Sequence, residues 1–307
     1  MISRHFRVPP ANTSEAFGRS QAQVFDDYCY LTQLQQARCY TTAFGAWRRQ
    51  MSTAATNMGI LYWQLNDVWQ GPTWSTIEVD GTPKLSHHAT RRAFAPLLIS
   101  AVEVQSGALP GGVASGGRGR GGGASLEVHI TSDLAVSQLG VLTVEVVRFA
   151  DAPAAPAAGI RRNVTVTPRA DAAYVTVSLD DILATARTDR RHALVRMRFT
   201  PASDASAAVE AEHWLMPPKD VALPLATLSI TDVHSLTPTS ARLRLVANAT
   251  AVFVAVESHA VVGAMSDGAF TLLAGMEVDV TFTARRQFDI AEFKRGLVVR
   301  SLRDTYD

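Results

Sequence analysis

The densest group of side chains suited to binding a polar ligand lies in the run YWQLNDVWQGPTW, residues 62–74. Three of the chain's five tryptophans, Trp63, Trp69 and Trp74, fall within twelve residues there. Indole rings can stack on the C–H face of a sugar ring, while amide and carboxylate groups can pair with its hydroxyls. The combination indicates a carbohydrate subsite, although the same tryptophans would equally serve to close a protein core.

The elements that position this block are a predicted strand and two predicted helices. Residues 58–67 begin as a nearly continuous apolar run, which favours a strand buried on both faces of a parallel sheet. Residues 14–50 have helical periodicity and no proline, with Thr13 or Ser14 as N-cap, and residues 83–95 form the second helix. If the strand belongs to a β/α barrel, the tryptophans lie at its C-terminal end, where barrel active sites form.

From residue 97 onward the pattern changes to short β-branched runs separated by turn residues, which predicts β-sandwiches. A proline-marked linker at residues 216–220 divides the predicted strands into two sets. They are 126–130, 142–149, 174–179 and 193–199, then 225–233, 241–247, 252–256, 270–273, 278–282 and 296–301. The glycine-rich stretch 107–125 has no side chains with which to build a core and is predicted to be a disordered surface insert.

Composition excludes several classes of protein. With 29 basic and 28 acidic residues the net charge is +1, so no nucleic-acid partner is expected, and no apolar stretch approaches the length of a membrane helix. Cys29 and Cys39 lie ten residues apart on a predicted helix, too far to form a disulfide with each other. The first 20 residues contain no apolar core of a signal peptide. Three Asn-x-Ser/Thr sequons, at Asn12, Asn163 and Asn248, matter only in a secreted protein.

Two further groups of residues carry side chains capable of chemistry. Asp67 follows the predicted strand and Glu78 lies in the next loop, so either carboxylate could bind ligand or support the loop. His87 and His88 diverge by about 100° on a helix and are not expected to share a metal ion. The glycine cluster lacks the flanking strand and helix of a phosphate-binding loop, so no cofactor is expected.

Several motifs resemble the C-terminal portion of the β-mannosidases of glycoside hydrolase family 2. The most specific is the block MGILYWQLNDVWQGPTWSTIEVDGTPKLSHHATRRAFAPLL, residues 58–98, which follows YLTQLQQAR at residues 30–38. WLMPPKDVALP at 214–224 resembles the family's junction into its last domain, and SDGAF at 266–270 and SLRDTY at 301–306 resemble that domain's closing motifs. The resemblance covers almost the whole chain apart from the glycine-rich insert.

The resemblance implies an α/β remnant followed by an all-β region. Residues 1–96 correspond to the last strand and helices of a (β/α)8 barrel, and residues 97–217 and 218–307 to two immunoglobulin-like β-sandwich domains. The family's enzymes are retaining exo-glycosidases that release terminal β-linked mannose, and both of their catalytic glutamates lie on earlier barrel strands, upstream of this chain. The isolated chain is therefore expected to be inactive, with no catalytic or metal-binding residue of its own.

The resemblance also implies the ligand, partner and cellular location. The expected ligand is a β-mannoside glycan or manno-oligosaccharide, bound through Trp63, Asn66, Asp67 and Trp69, and the expected partner is the missing N-terminal barrel portion. A lysosomal or secretory location is implied, and no membrane partner is expected. The alternative function is a non-catalytic carbohydrate-binding or scaffold protein that keeps the tryptophans and the sandwiches.

Overall fold

A computed structural model describes residues 1–9, 19–105 and 123–306. Its helices are α1 Ile2–His5, α2 Gln21–Arg49, α3 Leu85–Ala93, α4 Leu179–Thr185 and α5 Ile290–Arg295. Its strands are β1 Leu97–Gln105, β2 Ala124–Ser132, β3 Gln138–Arg148, β4 Pro156–Val166, β5 Ala170–Ser178, β6 Ala193–Pro201 and β7 Val209–His213, then β8 Leu228–Thr237, β9 Ser240–Ala247, β10 Ala251–Ser258, β11 Gly263–Met265, β12 Phe270–Leu272, β13 Glu277–Ala284 and β14 Leu297–Arg300. None of the described helices is long and apolar enough to cross a membrane.

The long helix α2 begins later than its sequence pattern predicts. Ser20 is the N-cap: its hydroxyl accepts from the Gln23 amide at 3.2 Å, and the Ser20 amide donates to the Gln23 side chain at 2.8 Å. This reciprocal capping box satisfies two amides that the first turn leaves without partners. The prediction of Thr13 or Ser14 as the N-cap is therefore wrong, and both residues lie outside the described part of the chain.

Strands β1 to β7 form a first sandwich. Sheets of order β1-β2-β5 and β4-β3-β6-β7, all antiparallel, enclose a core to which both contribute alternate side chains, such as Val128 and Phe199. All four strands predicted here from β-branched runs are confirmed, while β1, β4 and β7 were not predicted. The predicted glycine-rich insert largely falls on residues 106–122, outside the described residues. Its last two residues, Ala124 and Ser125, already belong to β2, which corrects that boundary.

Strands β8 to β14 form a second sandwich. Sheets of order β11-β13-β9-β8 and β12-β10-β14 enclose a core in which Phe282 stacks on Phe293, with ring centroids 4.4 Å apart. The predicted linker at 216–220 is an ordered turn between the sandwiches, since Pro218 is buried and Pro218–Asp220 form a short 3₁₀ helix.

A third core joins the helices to both sandwiches. Leu31 and Leu34 of α2 are fully buried against Val147 of β3 and Phe253 of β10. Trp214, which precedes the turn between the sandwiches, stacks on Phe253 with centroids 5.0 Å apart. The hydrophobic effect therefore holds the helical part and the two sandwiches in one arrangement, because each supplies apolar surface that the others cover.

The predicted strand at 58–67 is wrong. These residues are extended but lie outside every described sheet, with a single bridge between Asn66 and Ile77. Burial on both faces is also wrong, because Leu61 is 97% exposed and Trp63 is 72% exposed. A central parallel strand is buried only when neighbouring strands pair with both its edges, and the described residues supply none. The helix predicted at 83–95 is confirmed as α3.

Candidate functional site

Residues 58–66 lie over α2 and α3 with side chains that alternate between two environments. Tyr62 faces the helices, with its ring centroid 5.6 Å from that of Tyr40 and 6.1 Å from that of Phe94. Leu61, Trp63 and Leu65 are all exposed. This period of two is that of a strand with one face on the helices and the other uncovered.

The residues that follow enclose a buried ion pair. Asp67 is only 4% exposed, and one of its carboxylate oxygens accepts from Lys84 Nζ at 2.9 Å. Its other oxygen accepts a short hydrogen bond from the Thr73 hydroxyl, and Lys84 also donates to Ser75 Oγ at 2.9 Å. A buried charge is costly unless it is paired and hydrogen-bonded, so these four side chains fix the fold of residues 63–76, here called the tryptophan loop.

The two candidate carboxylates have opposite pKa shifts. The hydrogen bond from Thr73, followed by those from Ser75 and Lys84, lowers the pKa of Asp67 from 3.8 to about 2. Burial raises the pKa of Glu78, although Lys84 Nζ lies 3.8 Å from its carboxylate and opposes that shift. Asp67 is thus a carboxylate that stays ionised down to a pH of about 2 and whose oxygens are already hydrogen-bonded, which favours the loop-supporting role over direct contact with a ligand.

The three tryptophans project from this polar centre into solvent. Trp63, Trp69 and Trp74 are 72%, 61% and 62% exposed. The Trp74 indole N–H donates to Gln64 Oε1 at 3.4 Å, and the Trp63–Gln64 peptide bond is cis. The ring of Trp69 folds directly onto Gly71, where a β-carbon would collide with it. The loop therefore presents aromatic faces to solvent instead of using them to close the described core.

Asn66 precedes the ion-paired Asp67 in the chain. Its carboxamide nitrogen donates to the Asp67 carbonyl at 3.0 Å, and the residue itself is exposed. The Asp67 amide donates to the Ile77 carbonyl at 2.8 Å and ties the start of the loop to its end. The structure thus leaves Trp63, Asn66 and Trp69 exposed at the surface, whereas Asp67 is buried.

The two adjacent histidines contact different segments. The Thr76 hydroxyl lies 3.2 Å from His87 Nδ1 and donates to the Leu65 carbonyl at 2.9 Å, which links α3 to the tryptophan loop. His88 packs against Gly268, and burial lowers its pKa to about 4. The rings diverge as adjacent helical side chains must, with centroids 6.4 Å apart.

Sequence reasoning missed the residues that hold the site in place. Lys84 gave no signal, because a lysine after a proline at a helix start is ordinarily exposed. Two arginines of α3, Arg91 and Arg92, bind Asp267 in the SDGAF motif of the second sandwich, and Arg91 also donates to the Ser266 carbonyl at 2.5 Å. The resemblance of that motif was a usable signal, but its role as the contact for α3 required the structure.

Acid should open the tryptophan loop before it unfolds the sandwiches. A carboxyl whose pKa is lower in the folded state stabilises that state above its unfolded pKa, and this contribution is lost as the pH falls through the folded pKa. For Asp67 the pKa in the unfolded state is 3.8 and the pKa in the folded state is about 2. We expect acrylamide quenching of tryptophan fluorescence to rise over this window, and the step to be absent in Asp67→Asn. Far-UV circular dichroism serves as the control, since a step that coincides with complete loss of β-structure would contradict local opening.

Comparisons with known proteins cover both sandwiches and the helical part. A family model described as a mannosidase Ig/CBM-like domain matches residues 124–220, and an Ig-fold domain model, Ig_mannosidase, matches residues 223–305. Beta-mannosidase A of Neosartorya fischeri is 28% identical over 289 residues, which are 91% of this chain and 29% of that protein. The β-mannosidase of Capra hircus is 43% identical over 101 residues, 32% of this chain and 11% of that protein.

Solved structures show the same fold. The crystal structure of β-D-mannosidase from Dictyoglomus thermophilum matches with a TM-score of 0.70 and 17% identity, over 98% of this chain and 31% of that one. The exo-chitosanase CsxA of Amycolatopsis orientalis matches with a TM-score of 0.57 and 14% identity, over 89% of this chain and 33% of that one. The chain spans about a third or less of each of these relatives. The domain models and the sequence relatives agree that this chain is similar to the C-terminal portion of β-mannosidases, and the solved structures share its fold.

Proposed function

We propose that this chain is the C-terminal part of a β-mannosidase-like retaining exo-glycosidase that hydrolyses terminal β-linked mannose. Residues 1–96 supply the last strand and helices of its (β/α)8 barrel. Residues 97–217 and 218–307 supply its two immunoglobulin-like sandwiches. The observation that carries the proposal is that Trp63, Trp69 and Trp74 are exposed on a loop that contains Asp67 of the buried Asp67–Lys84 pair.

Side chains of residues 58–66 alternate between facing the helices and being exposed, and this alternation supports the barrel assignment. In a β/α barrel each strand has one face toward the barrel interior and the other toward the surrounding helices. Tyr62 lies against α2 and α3, while Leu61, Trp63 and Leu65 face away from them with no apolar cover among the described residues. Those three side chains would be interior if neighbouring strands paired with this segment. The N-terminal barrel portion is therefore the proposed partner.

Sugar binding is assigned to the exposed side chains of the loop. Trp63 offers a ring face for the terminal mannose, Trp69 extends that apolar surface, and Asn66 offers its carboxamide oxygen to a hydroxyl. Asp67 acts beneath them, because its carboxylate is already occupied by Lys84 and Thr73. A lysosomal or secretory location is proposed on the basis of the similarity to β-mannosidases.

The reacting groups are assigned to the upstream part of the barrel. Retention requires a nucleophile and an acid/base about 5 to 5.5 Å apart, both open to substrate. Asp67 is buried and ion-paired, and Glu78 interacts with the same Lys84. Neither offers a free carboxylate toward Trp63, so both catalytic glutamates are proposed to lie on earlier strands.

The alternative is a non-catalytic carbohydrate-binding module. The observation that favours it is that Trp63, Trp69 and Trp74 are already presented by a loop whose supporting contacts lie within this chain. A module of this kind binds sugar without further strands. The glycosidase proposal instead requires a barrel to complete the pocket around Trp63.

Sugar binding in two forms of the protein separates the proposals. For the chain alone we expect calorimetry to detect no binding of mannose or mannotriose. When the chain is joined to the N-terminal barrel portion of a relative, we expect turnover, and Trp63→Ala should lower kcat/KM at least about tenfold, about 1.4 kcal/mol of transition-state stabilisation. Trp47→Ala, on α2 and away from the loop, is the matched control and should retain activity. Binding by the chain alone that Trp63→Ala abolishes would instead establish the binding module.

A further inference from the structure

The edge strand β4 carries a sequon in an unusually open setting. Asn163 and Thr165 lie two residues apart on the strand, so both side chains face outward, while Val164 between them packs into the core of the first sandwich. Both polar residues are exposed, and the Asn163 carboxamide has no hydrogen-bond partner among the described residues. The asparagine is thus free to carry a bulky group without loss of any contact in the sandwich.

The surface beside Asn163 has room for the first sugars of a glycan. Asn163 pairs in register with Val141 of β3, which lines a surface groove of about 470 Å³. The groove is also lined by Thr143, Glu145 and Arg161, and the side chains of Glu145 and Arg161 have no ion-pair partner within the described residues. Hydroxyl, carboxylate and guanidinium groups are suitable hydrogen-bonding partners for N-acetylglucosamine.

One edge of β4 is not paired with another strand of its sheet. β4 is eleven residues long and lies at the edge of the sheet of order β4-β3-β6-β7. An edge strand leaves backbone amides and carbonyls free to pair with another chain, and proteins protect such edges with charge or bulk. Arg161 and Arg162 supply charge, and a glycan at the next residue would supply bulk.

The sequon at Asn248 differs from that at Asn163 because its side chains take part in hydrogen bonds. Asn248 Oδ1 accepts from the Thr227 amide at 2.7 Å, so this carboxamide supports the turn between β9 and β10. The threonine of that sequon, Thr250, is 1% exposed, and its hydroxyl accepts from the Ala274 amide at 3.4 Å. Asn248 therefore has a structural role that Asn163 lacks. The third sequon, at Asn12, lies outside the described residues.

We propose that Asn163, and not Asn248, is an N-glycan attachment site, and that its glycan covers the β4 edge of the first sandwich. The biological use of this site rests on the secretory location in the proposed function. Its chemistry does not, because attachment needs only an accessible asparagine and the threonine two residues later.

The test is to express the full chain behind a cleavable secretion signal in a eukaryotic host. Peptide mapping of the wild-type protein after enzymatic glycan removal should find Asn163 converted to aspartate and Asn248 unconverted. Asn163→Gln and Thr165→Ala should each lose one glycan from the intact mass, while Thr165→Ser should keep it and Asn248→Gln should not change the mass. An unmodified Asn163 in the secreted wild type, or a glycan at Asn248, would overturn the assignment.

The shielding role has its own readout. Enzymatic removal of the glycan from folded protein should increase concentration-dependent light scattering, because the β4 edge becomes available for pairing. Scattering that is unchanged after complete removal would overturn the shielding role. None of these outcomes depends on mannoside hydrolysis, so failure here is distinct from failure of the proposed glycosidase function.

Discussion

The purified 307-residue chain will hydrolyse an aryl β-mannoside no faster than buffer does. Retaining hydrolysis needs two accessible carboxyl groups on either side of the scissile bond. Residues 1–96 contain two glutamates, Glu78 and Glu15, the latter outside the described residues. Asp67 and Glu78, the two candidate carboxylates of this region, both face Lys84.

Neither of these carboxylates has the setting that retaining hydrolysis requires. A nucleophile must reach the anomeric carbon, but Asp67 is 4% exposed and already accepts hydrogen bonds from Lys84 and Thr73. Its pKa of about 2 also makes it a weak base. Burial raises the pKa of Glu78, which suits an acid, but an acid without a nucleophile cannot form the glycosyl-enzyme intermediate.

The measurement is release of the aryl alcohol at high protein concentration over a long incubation. Enzymatic accelerations of about 10⁶-fold or more are usual, so even a small active fraction would be visible. Asp67→Asn and Glu78→Gln are the matched controls and should be indistinguishable from wild type. Turnover above buffer that either substitution removes would show that this chain carries its own catalytic carboxylate.

The second large effect is on stability. Leu34→Ala in the middle of α2 should lower the free energy of unfolding by about 3 kcal/mol, because it removes a fully buried side chain from a close-packed core. That core also contains Val147 of the first sandwich and Phe253 of the second. The loss should therefore shift the unfolding of the β-structure, and not only that of the helix.

Urea unfolding followed by far-UV circular dichroism in the β-sheet region measures this effect. Phe25→Ala is the matched control, because Phe25 lies on the same helix but is 71% exposed, and its loss should cost less than about 0.5 kcal/mol. If Leu34→Ala melts α2 in a separate early transition and leaves the sheet midpoint unchanged, the shared core does not stabilise the sandwiches.

The local sequence pattern is sufficient to predict some strands of the sandwiches but not others. β9 alternates buried and partly exposed residues along its length, so its sequence RLRLV already predicts a strand with one face in a core. β4 has the sequence PAAGIRRNVTV, whose alanines, glycine and arginines favour no strand. It is a strand because ten of its residues pair in register with β3.

The prediction of a paired, doubly buried strand at residues 58–67 was wrong for a related reason. The apolar run after Met58 has strand-like alternation, and the structure keeps that alternation in the opposite environments of Tyr62 and Trp63. Strand pairing and two-sided burial depend on neighbours that the described residues do not include. The pattern of a segment fixes which side chains share a face, but other segments decide whether that face is covered.

Composition and local pattern specify the chemical character of this protein, namely clustered indoles and amides suited to a sugar, two sets of β-branched runs, a balanced charge and motifs that resemble those of β-mannosidases. Which polar residues are buried in supporting contacts and which stay exposed follows from the three-dimensional packing. Lys84 and Asp67 are 17 residues apart in the chain, and each would be exposed on its own. They are buried because each charge offsets the cost of removing the other from water. That compensation depends on a partner far away in the sequence, so no local pattern of residues reveals it.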